Sequence, residues 1–439
     1  MAAKKKNKID KIKKERLKVP VLGIADNIIF SKNEVWAYYK VSTVPYSFLS
    51  PESKASLAAN TVTALAALCQ SEGQKVDGQI LITNTPFDVQ SWVNQMDKVY
   101  GEWHNGHYTD VYNKYIDEQG YELLGENFQK PVVYLGIKMF TRGSFNFDSF
   151  NILEFGFKDA FAAFKKSVSN ILVMPNEEVS SVEEKRARDK ETELFRTLST
   201  GYLHCERPTQ EELLLTIKRR FYPGMPVPYL TTDHKNRIGL NDIIMETGGV
   251  IENKYRYLKF NQEINGQAYT GYRATLSFAR FPSHMQMPGP HYPFLNLPAS
   301  RGLPYTLDAR FSIIPQQVVK KRLNKKKLET DDEIENLANS GQASNAHIVS
   351  TVNDLSTLES TLEEDKTPWL NGSYRITVEN YDLDKLKTNI SSIKQAYADD
   401  DTTLVWSSGD QLKLFIEEIP GSNLQMPSFN QMTSLSMLG

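Results

Sequence analysis

The chain has 439 residues, 40% of them hydrophobic and 11% aromatic, and a formal net charge of −2. That length exceeds one ordinary core, so two or three packed units of globular composition are expected. Its uncharged apolar runs fall short of the ~18 residues that cross a bilayer, no apolar signal-peptide core follows the basic start, and two widely separated cysteines require no oxidising compartment.

The charge is unevenly spread. Residues 1–18 hold Lys4, Lys5, Lys6, Lys8, Lys11, Lys13, Lys14, Arg16 and Lys18 against Asp10 and Glu15, a balance of +7, so the rest of the chain carries −9. A basic tail on an acidic body suits contact with phosphates or an anionic membrane surface; the alternative is a solvated, flexible leader. Seven of these residues, Lys4, Lys5, Lys6, Lys8, Lys11, Lys13 and Lys14, are the candidate anionic-surface contacts.

After the tail, "EVWAYYKVS" reads as a strand, and "SPESKASLAANTVTALAALCQSEG" as a helix with Ser50 as N-cap, Pro51 in the first turn and Gly73 as stop. "GQILITNTPF" and "PVVYLGIKMFTRG" read as strands, with a helix between them starting at Asp88. This alternation makes 19–174 an N-terminal α/β domain. Residues 175–200 read as a charged surface helix bridging two units. Thr209 and Glu212 have capping-box spacing, and Leu213, Leu214 and Ile217 share one side of the helix that follows. The rest of 201–300 is β-rich, with a hairpin expected at Asn265-Gly266 and a long Pro-rich loop after it.

Residues 301–420 show the clearest pattern. The strand "YTLDARFSIIP" leads into a charged helical stretch broken near Gly341, with Ile348, Val352, Leu355, Leu358 and Leu362 as an apolar stripe; its two halves could form a helical hairpin. "GSYRITVEN" is a strand, Leu383, Leu386, Ile390, Ile393 and Tyr397 mark a helix, and "TTLVWSSG" and "DQLKLFIEEIPG" follow as strand and short amphipathic helix. The order resembles a ferredoxin-like unit with an extended first crossover. The fold class is therefore α+β, with several α/β units, the last ferredoxin-like with a long helical insertion. In 421–439 apolar residues recur every third position, at Met426, Phe429, Met432, Leu435 and Leu438.

Chemistry is sparse. No Gly-Lys dipeptide occurs, so no Walker loop lies within residues 1–439. His104 and His107, and His204 with Cys205, lack the further ligands a zinc site needs. Acidic residues are plentiful, but no arrangement singles out a hydrolase pair. The run Lys320, Lys321, Arg322, Lys325, Lys326 and Lys327 could meet phosphate, yet Glu329, Asp331, Asp332, Glu333 and Glu335 follow at once, a pattern more usual in a solvated helix.

Six segments, in order, carry a resemblance: "RRFYPGMPVPYL", "RIGLNDIIMETGGVIENKYRYLKF", "GYRATLSFARFPSHMQMPG", "LPYTLDARFSIIP", "DKTPWLNGSYRITVEN" and "WSSGDQLKLFIEEIPG". Together with "EVWAYYKVSTVPYSFLS" they resemble the N-terminal region of the conjugative type IV secretion ATPase, the VirB-four class of Gram-positive conjugative elements, over roughly residues 20–439. The resemblance implies a region preceding a RecA-like motor domain, with no motor in this chain and 421–439 as a lead-in that packs poorly without it. No ATP-site residue carries over, and no cofactor is expected here; ATP and Mg would belong to the motor, leaving this chain inactive alone. Implied partners are the membrane proteins of the secretion channel, the motor domain, another copy of the chain and an anionic membrane surface, with DNA met only indirectly during conjugal transfer of the mobile element. The implied location is cytoplasmic, peripheral at the inner face of the cell membrane. The alternative function is a stand-alone nucleic-acid-binding protein using the basic tail.

Overall fold

A computed structural model of the chain describes residues 20–42, 46–72, 75–86, 110–116, 129–142, 179–200, 203–227, 249–264, 266–282, 297–300, 302–339, 368–423 and 429–434, with isolated positions between them. Strands β1 (Val21–Ala25), β2 (Ile28–Ser31) and β3 (Glu34–Val41) form an antiparallel meander. Helix α1 (Pro51–Glu72) then leads to β4 (Val76–Pro86), and β5 (Gln129–Thr141) inserts between β3 and β4. Helix α2 (Ser181–Thr200), β6 (Cys205–Glu206) and helix α3 (Gln210–Arg219) follow. Next come β7 (Val250–Asn253), β8 (Leu258–Ile264), β9 (Gln267–Arg280) and β10 (Thr306–Ile314). The chain continues through α4 (Gln316–Asn339), β11 (Trp369–Asn380), α5 (Leu383–Ala398), β12 (Thr403–Val405), α6 (Gln411–Glu418) and β13 (Gln431–Ser434).

The architecture is α+β. Strands from 19–174, 201–300 and 301–420 all enter one antiparallel sheet, in the order β1-β2-β3-β5-β4-β10-β11-β9-β8-β7, with β6 on β3, β12 on β9 and β13 on β11. Two split β-α-β units recur within it. β3 and β4 flank β5, both pairing at Tyr134, and α1 joins them. β11 and β12 flank β9, both pairing at Ser277, and α5 joins them.

Strand alternation gives the sheet two unlike faces. One is apolar: Leu307, Ala309, Phe311 and Ile313 of β10, Ile376 and Val378 of β11, and Ala274, Leu276 and Phe278 of β9 pack beneath α1, α2 and α5. Helix α5 buries Leu386, Ile390, Ile393 and Tyr397, each side chain contributing roughly 1.5–3 kcal/mol of burial. Its N-terminus is closed by Asp382, whose carboxylate accepts from the backbone N–H groups of Asp384 (2.8 Å) and Lys385 (3.1 Å). The other face is covered by α3 and α6, which bury Leu213, Ile217 and Phe415 against Trp36, Tyr38, Leu81 and Phe260. Thr209 and Glu212 form the expected capping box, and Gly266, with φ +77°, makes the expected turn between β8 and β9.

Three expectations are corrected. The 175–200 segment is no mere surface bridge: α2 buries Ala187, Glu191, Leu194 and Leu198, spaced 4, 3 and 4 residues apart, while Lys185, Arg186, Arg188, Asp189, Glu193 and Arg196 are exposed. The segment between β10 and β11 is not a crossover, because these strands are antiparallel neighbours and the chain returns beside its point of departure. Along the way Leu355 packs with Val319 and Leu323, and Lys327 meets Glu359. Nor does 421–439 pack poorly throughout: Gly421 and Ser422 are buried, and Gln431–Ser434 pairs with Trp369–Gly372.

Candidate functional site

At the centre of the second face the sheet carries charges in place of hydrocarbon. Alternation that turns Leu307, Ala309 and Phe311 to one side of β10 turns Asp308 and Arg310 to the other. Arg375, Thr377 and Glu379 of β11, and Arg273 and Thr275 of β9, share that side. Helix α6 lies over it and lowers Glu417 and Glu418 into the layer, both essentially without solvent exposure.

Glu418 is the hub. One carboxylate oxygen meets Arg220, just past α3, and the other meets Arg273 and accepts from the Thr377 hydroxyl at 2.8 Å. Burial opposes its charge, but Arg273 and Arg220 outweigh burial and hold its carboxyl below the usual range. Arg273 also reaches Glu379 at 2.6 Å, with its guanidinium 5.0 Å from the centre of the Phe415 ring. Glu417 pairs with Arg375 at 2.5 Å and accepts from the backbone N–H of Met426 at 2.9 Å.

A second part of the network ties the sheet to the chain leaving α6. Arg310 donates through Nη1 to the Ser422 carbonyl (2.7 Å) and through Nη2 to the carbonyls of Glu417 (2.5 Å) and Ile419 (3.1 Å). It thus satisfies carbonyls that a helix C-terminus leaves open. Tyr38 donates to Gln79 Oε1 (2.6 Å) and accepts from the Gly421 N–H (2.7 Å), while Gln79 donates to Asp308 (2.6 Å). Burial pushes the Asp308 carboxyl up to about 6, against the lowering effect of Arg310. The side-chain amide of Gln411 completes the sheet itself: it accepts from the Thr275 N–H (2.8 Å) and donates to the Thr275 carbonyl (3.1 Å). Thr275 lies between the ends of β8 and β12 along β9, so Gln411 fills the gap in the ladder.

Glu418 and Glu417 are engaged by arginine and Asp308 by Gln79, under a helix. Such an arrangement serves cohesion and not general acid–base exchange with a substrate. The short amphipathic helix read in "DQLKLFIEEIPG" is present as α6, and the two acids at its end face inward.

The candidate contacts Lys4, Lys5, Lys6, Lys8, Lys11, Lys13 and Lys14 lie outside the described residues, as do His104 and His107. His204 is exposed and its carbonyl accepts from the Ser42 N–H at 2.9 Å; Cys205 pairs in register with Val41. Among the described residues no group of three or more His, Cys, Asp or Glu side chains is placed to hold a metal ion. The basic run from Lys320 to Lys327 lies along α4, with Lys320, Lys321, Arg322, Lys325 and Lys326 exposed. A surface recess of 420 Å³ between α2 and β5, lined by Met139, Phe140, Arg186, Asp189, Lys190 and Glu193, mixes both charge signs. Sequence reasoning missed the charge network entirely, although each of its strands carries the signal of alternation with charges on one side and hydrocarbon on the other. No protein-family model matches the chain, and no curated protein sequence matches it.

Proposed function

We propose that the chain is the assembly and docking region of a conjugative type IV secretion ATPase, engaging the membrane channel and supporting oligomerisation of the motor during DNA transfer. One observation carries the reading. Five of the segments on which the resemblance rests meet in the charge network: Arg220 from "RRFYPG", Arg273 from "GYRATL", Asp308 and Arg310 from "LDARFS", Arg375 and Glu379 from "SYRITVEN", and Glu417 and Glu418 from "IEEIPG". Segments scattered over some two hundred residues of chain thus form one structural unit, which supports treating them as a single signature.

In this reading the ferredoxin-like character of residues 301–420 rests on the split β-α-β of β11, α5 and β12, whose middle strand, β9, comes from earlier in the chain, and α4 starts an arm. ATP hydrolysis belongs to a motor domain outside residues 1–439, since these contain no Walker loop. No helix among the described residues is long and apolar enough to cross a membrane. Peripheral attachment at the inner face would come from the basic leader, each lysine near anionic lipid contributing about 1 kcal/mol. In-frame removal of the gene from its host should abolish DNA transfer to recipient cells in a mating assay, and the plasmid-borne gene should restore it. Undiminished transfer would overturn the proposal. Separately, removal of residues 2–18 should reduce co-sedimentation of the full chain with anionic liposomes.

A further inference from the structure

Helix α4 has two faces with different occupations. Its inner face presents Val319 and Leu323, which pack with Ile314, Trp369 and Leu355, and then the buried Thr330. Its outer face presents Lys321, Lys325, Leu328, Asp332 and Glu335, spaced 4, 3, 4 and 3 residues apart and all exposed. That spacing aligns the five side chains in one stripe along the helix. Leu328, 65% exposed, stands at its centre, with two cations before it and two anions after it.

We propose that this stripe is a self-complementary docking surface whose partner is α4 of a second copy of the chain. The stripe maps onto its own complement when turned end for end. An antiparallel pair of helices with a two-fold axis at Leu328 places Leu328 against Leu328. The same axis sets Lys325 opposite Asp332 of the second copy and Lys321 opposite its Glu335, and each charge pair occurs twice. This is an isologous contact, closed after two copies.

The charge order favours a second copy over nucleic acid. A polyanion would be drawn to Lys321 and Lys325 but repelled along the same stripe by Asp332 and Glu335, reinforced by Glu329, Asp331 and Glu333. The helix neutralises itself only in part, and Lys325 is the one member of the stripe with an ion pair along it. Ion pairs here run from Lys325 (3.9 Å) and Lys326 (3.5 Å) to Glu329 and from Lys327 to Glu359; Lys321, Asp332 and Glu335 form none among the described residues. With one leucine pair ringed by exposed charges, the association is weak, salt-sensitive and suited to copies already gathered by another contact. The inference rests on α4 alone and stands whether or not the secretion reading holds.

Sedimentation velocity on the full chain tests it. The wild-type protein should dimerise reversibly at low salt and dissociate at high salt. Lys321→Glu with Lys325→Glu should be monomeric alone, as should Asp332→Lys with Glu335→Lys, each keeping the wild-type melting temperature. An equimolar mixture of the two should form a heterodimer, and the fourfold charge swap should restore the homodimer. Leu328→Cys should give a disulfide-linked dimer under mild oxidation, whereas Glu333→Cys, on another side of the helix, should not. A wild-type protein that stays monomeric at low salt at its highest soluble concentration overturns the proposal. So do charge variants that dimerise as well as wild type, or a Lys321→Glu, Lys325→Glu variant whose sole defect is loss of DNA binding.

Discussion

Arg273 on β9 and Glu418 at the last turn of α6 form an ion pair from which solvent is excluded on both sides, the two side chains being 1% and 2% exposed. The pair joins residues 145 apart in sequence and fastens α6 to the centre of the sheet. Removing one member of a buried pair strands the other charge, at a cost of about 3–5 kcal/mol. Glu418→Ala, which strands Arg220 and leaves Arg273 with Glu379 alone, should lose about that much in urea denaturation. Combining it with Arg273→Met should cost less than the sum of the two single changes, because the contact between the two side chains is lost only once. Strict additivity would show that the two side chains do not share an energy.

Asp308 makes the opposite contribution to acid stability. Its folded carboxyl is raised to about 6 by burial, against about 3.9 in the unfolded chain. Between about pH 4 and pH 6 the native state therefore holds more protons than the unfolded state, and stability from this group falls as pH rises. Glu418 has the reverse sign: its folded carboxyl is lowered, so its stabilisation is present above the unfolded value and lost as pH falls through the folded one. Asp308→Asn keeps an acceptor for the Gln79 amide and mimics the protonated acid. It should match wild type below about pH 4 and exceed it above about pH 6, by up to about 3 kcal/mol for a shift of about two units. Chemical denaturation at stepped pH gives the difference curve, and a flat difference would refute the assignment.

Arg310 holds three carbonyls over the six residues from Glu417 to Ser422. A planar fork can span them and a single ammonium cannot. Arg310→Lys should lose about 1.5–3 kcal/mol, the scale of one charged hydrogen bond. The loss should be local first: the amides of Ile419, Gly421, Ser422 and Asn423 should exchange with deuterium faster while those of β10 and β11 stay protected. Unchanged exchange in that stretch would mean that packing by Ile419, not Arg310, holds it.

What was legible in the sequence was local. Thr209 with Glu212, the stripe from Leu386 to Tyr397, and Asn265-Gly266 each specify their element through neighbours within a turn or two, and each formed. The candidate site is the reverse case. Asp308 and Arg310 alternate with Leu307 and Ala309, which by itself describes a strand with one wet face. That face becomes interior because α6, about a hundred residues later, brings Phe415 and Ile419 over it together with Glu417 and Glu418. Nothing near Asp308 announces that helix. The same holds for α2, where Leu194 and Leu198 sit at core spacing among so many charges that the segment reads as solvated. Strand order is non-local too: β5 enters between β3 and β4 after a gap of more than forty residues, and no pattern within β5 says so.

Gln411 offers the sharpest test of how the sheet and α6 depend on each other. On the side of β9 that faces away from β11, β8 pairs up to Arg273 and β12 begins at Ser277. The backbone N–H and carbonyl of Thr275 fall between them and are satisfied by the Gln411 amide, while the Thr275 hydroxyl lies 2.9 Å from that of Thr377 on the opposite side. Gln411→Leu would fill similar space but leave both backbone groups buried without partners, each costing about 1–3 kcal/mol. Gln411→Glu buries a carboxylate against the Thr275 carbonyl at neutral pH but keeps both an acceptor and a donor once protonated, so its defect should shrink as pH falls. At low pH the expected order of stability is wild type, Gln411→Glu, Gln411→Leu. The Thr275 amide, followed by hydrogen exchange, should lose protection in the leucine variant before its neighbours Ala274 and Leu276 do. Equal protection at all three positions would show that β9 needs no side chain to bridge the gap.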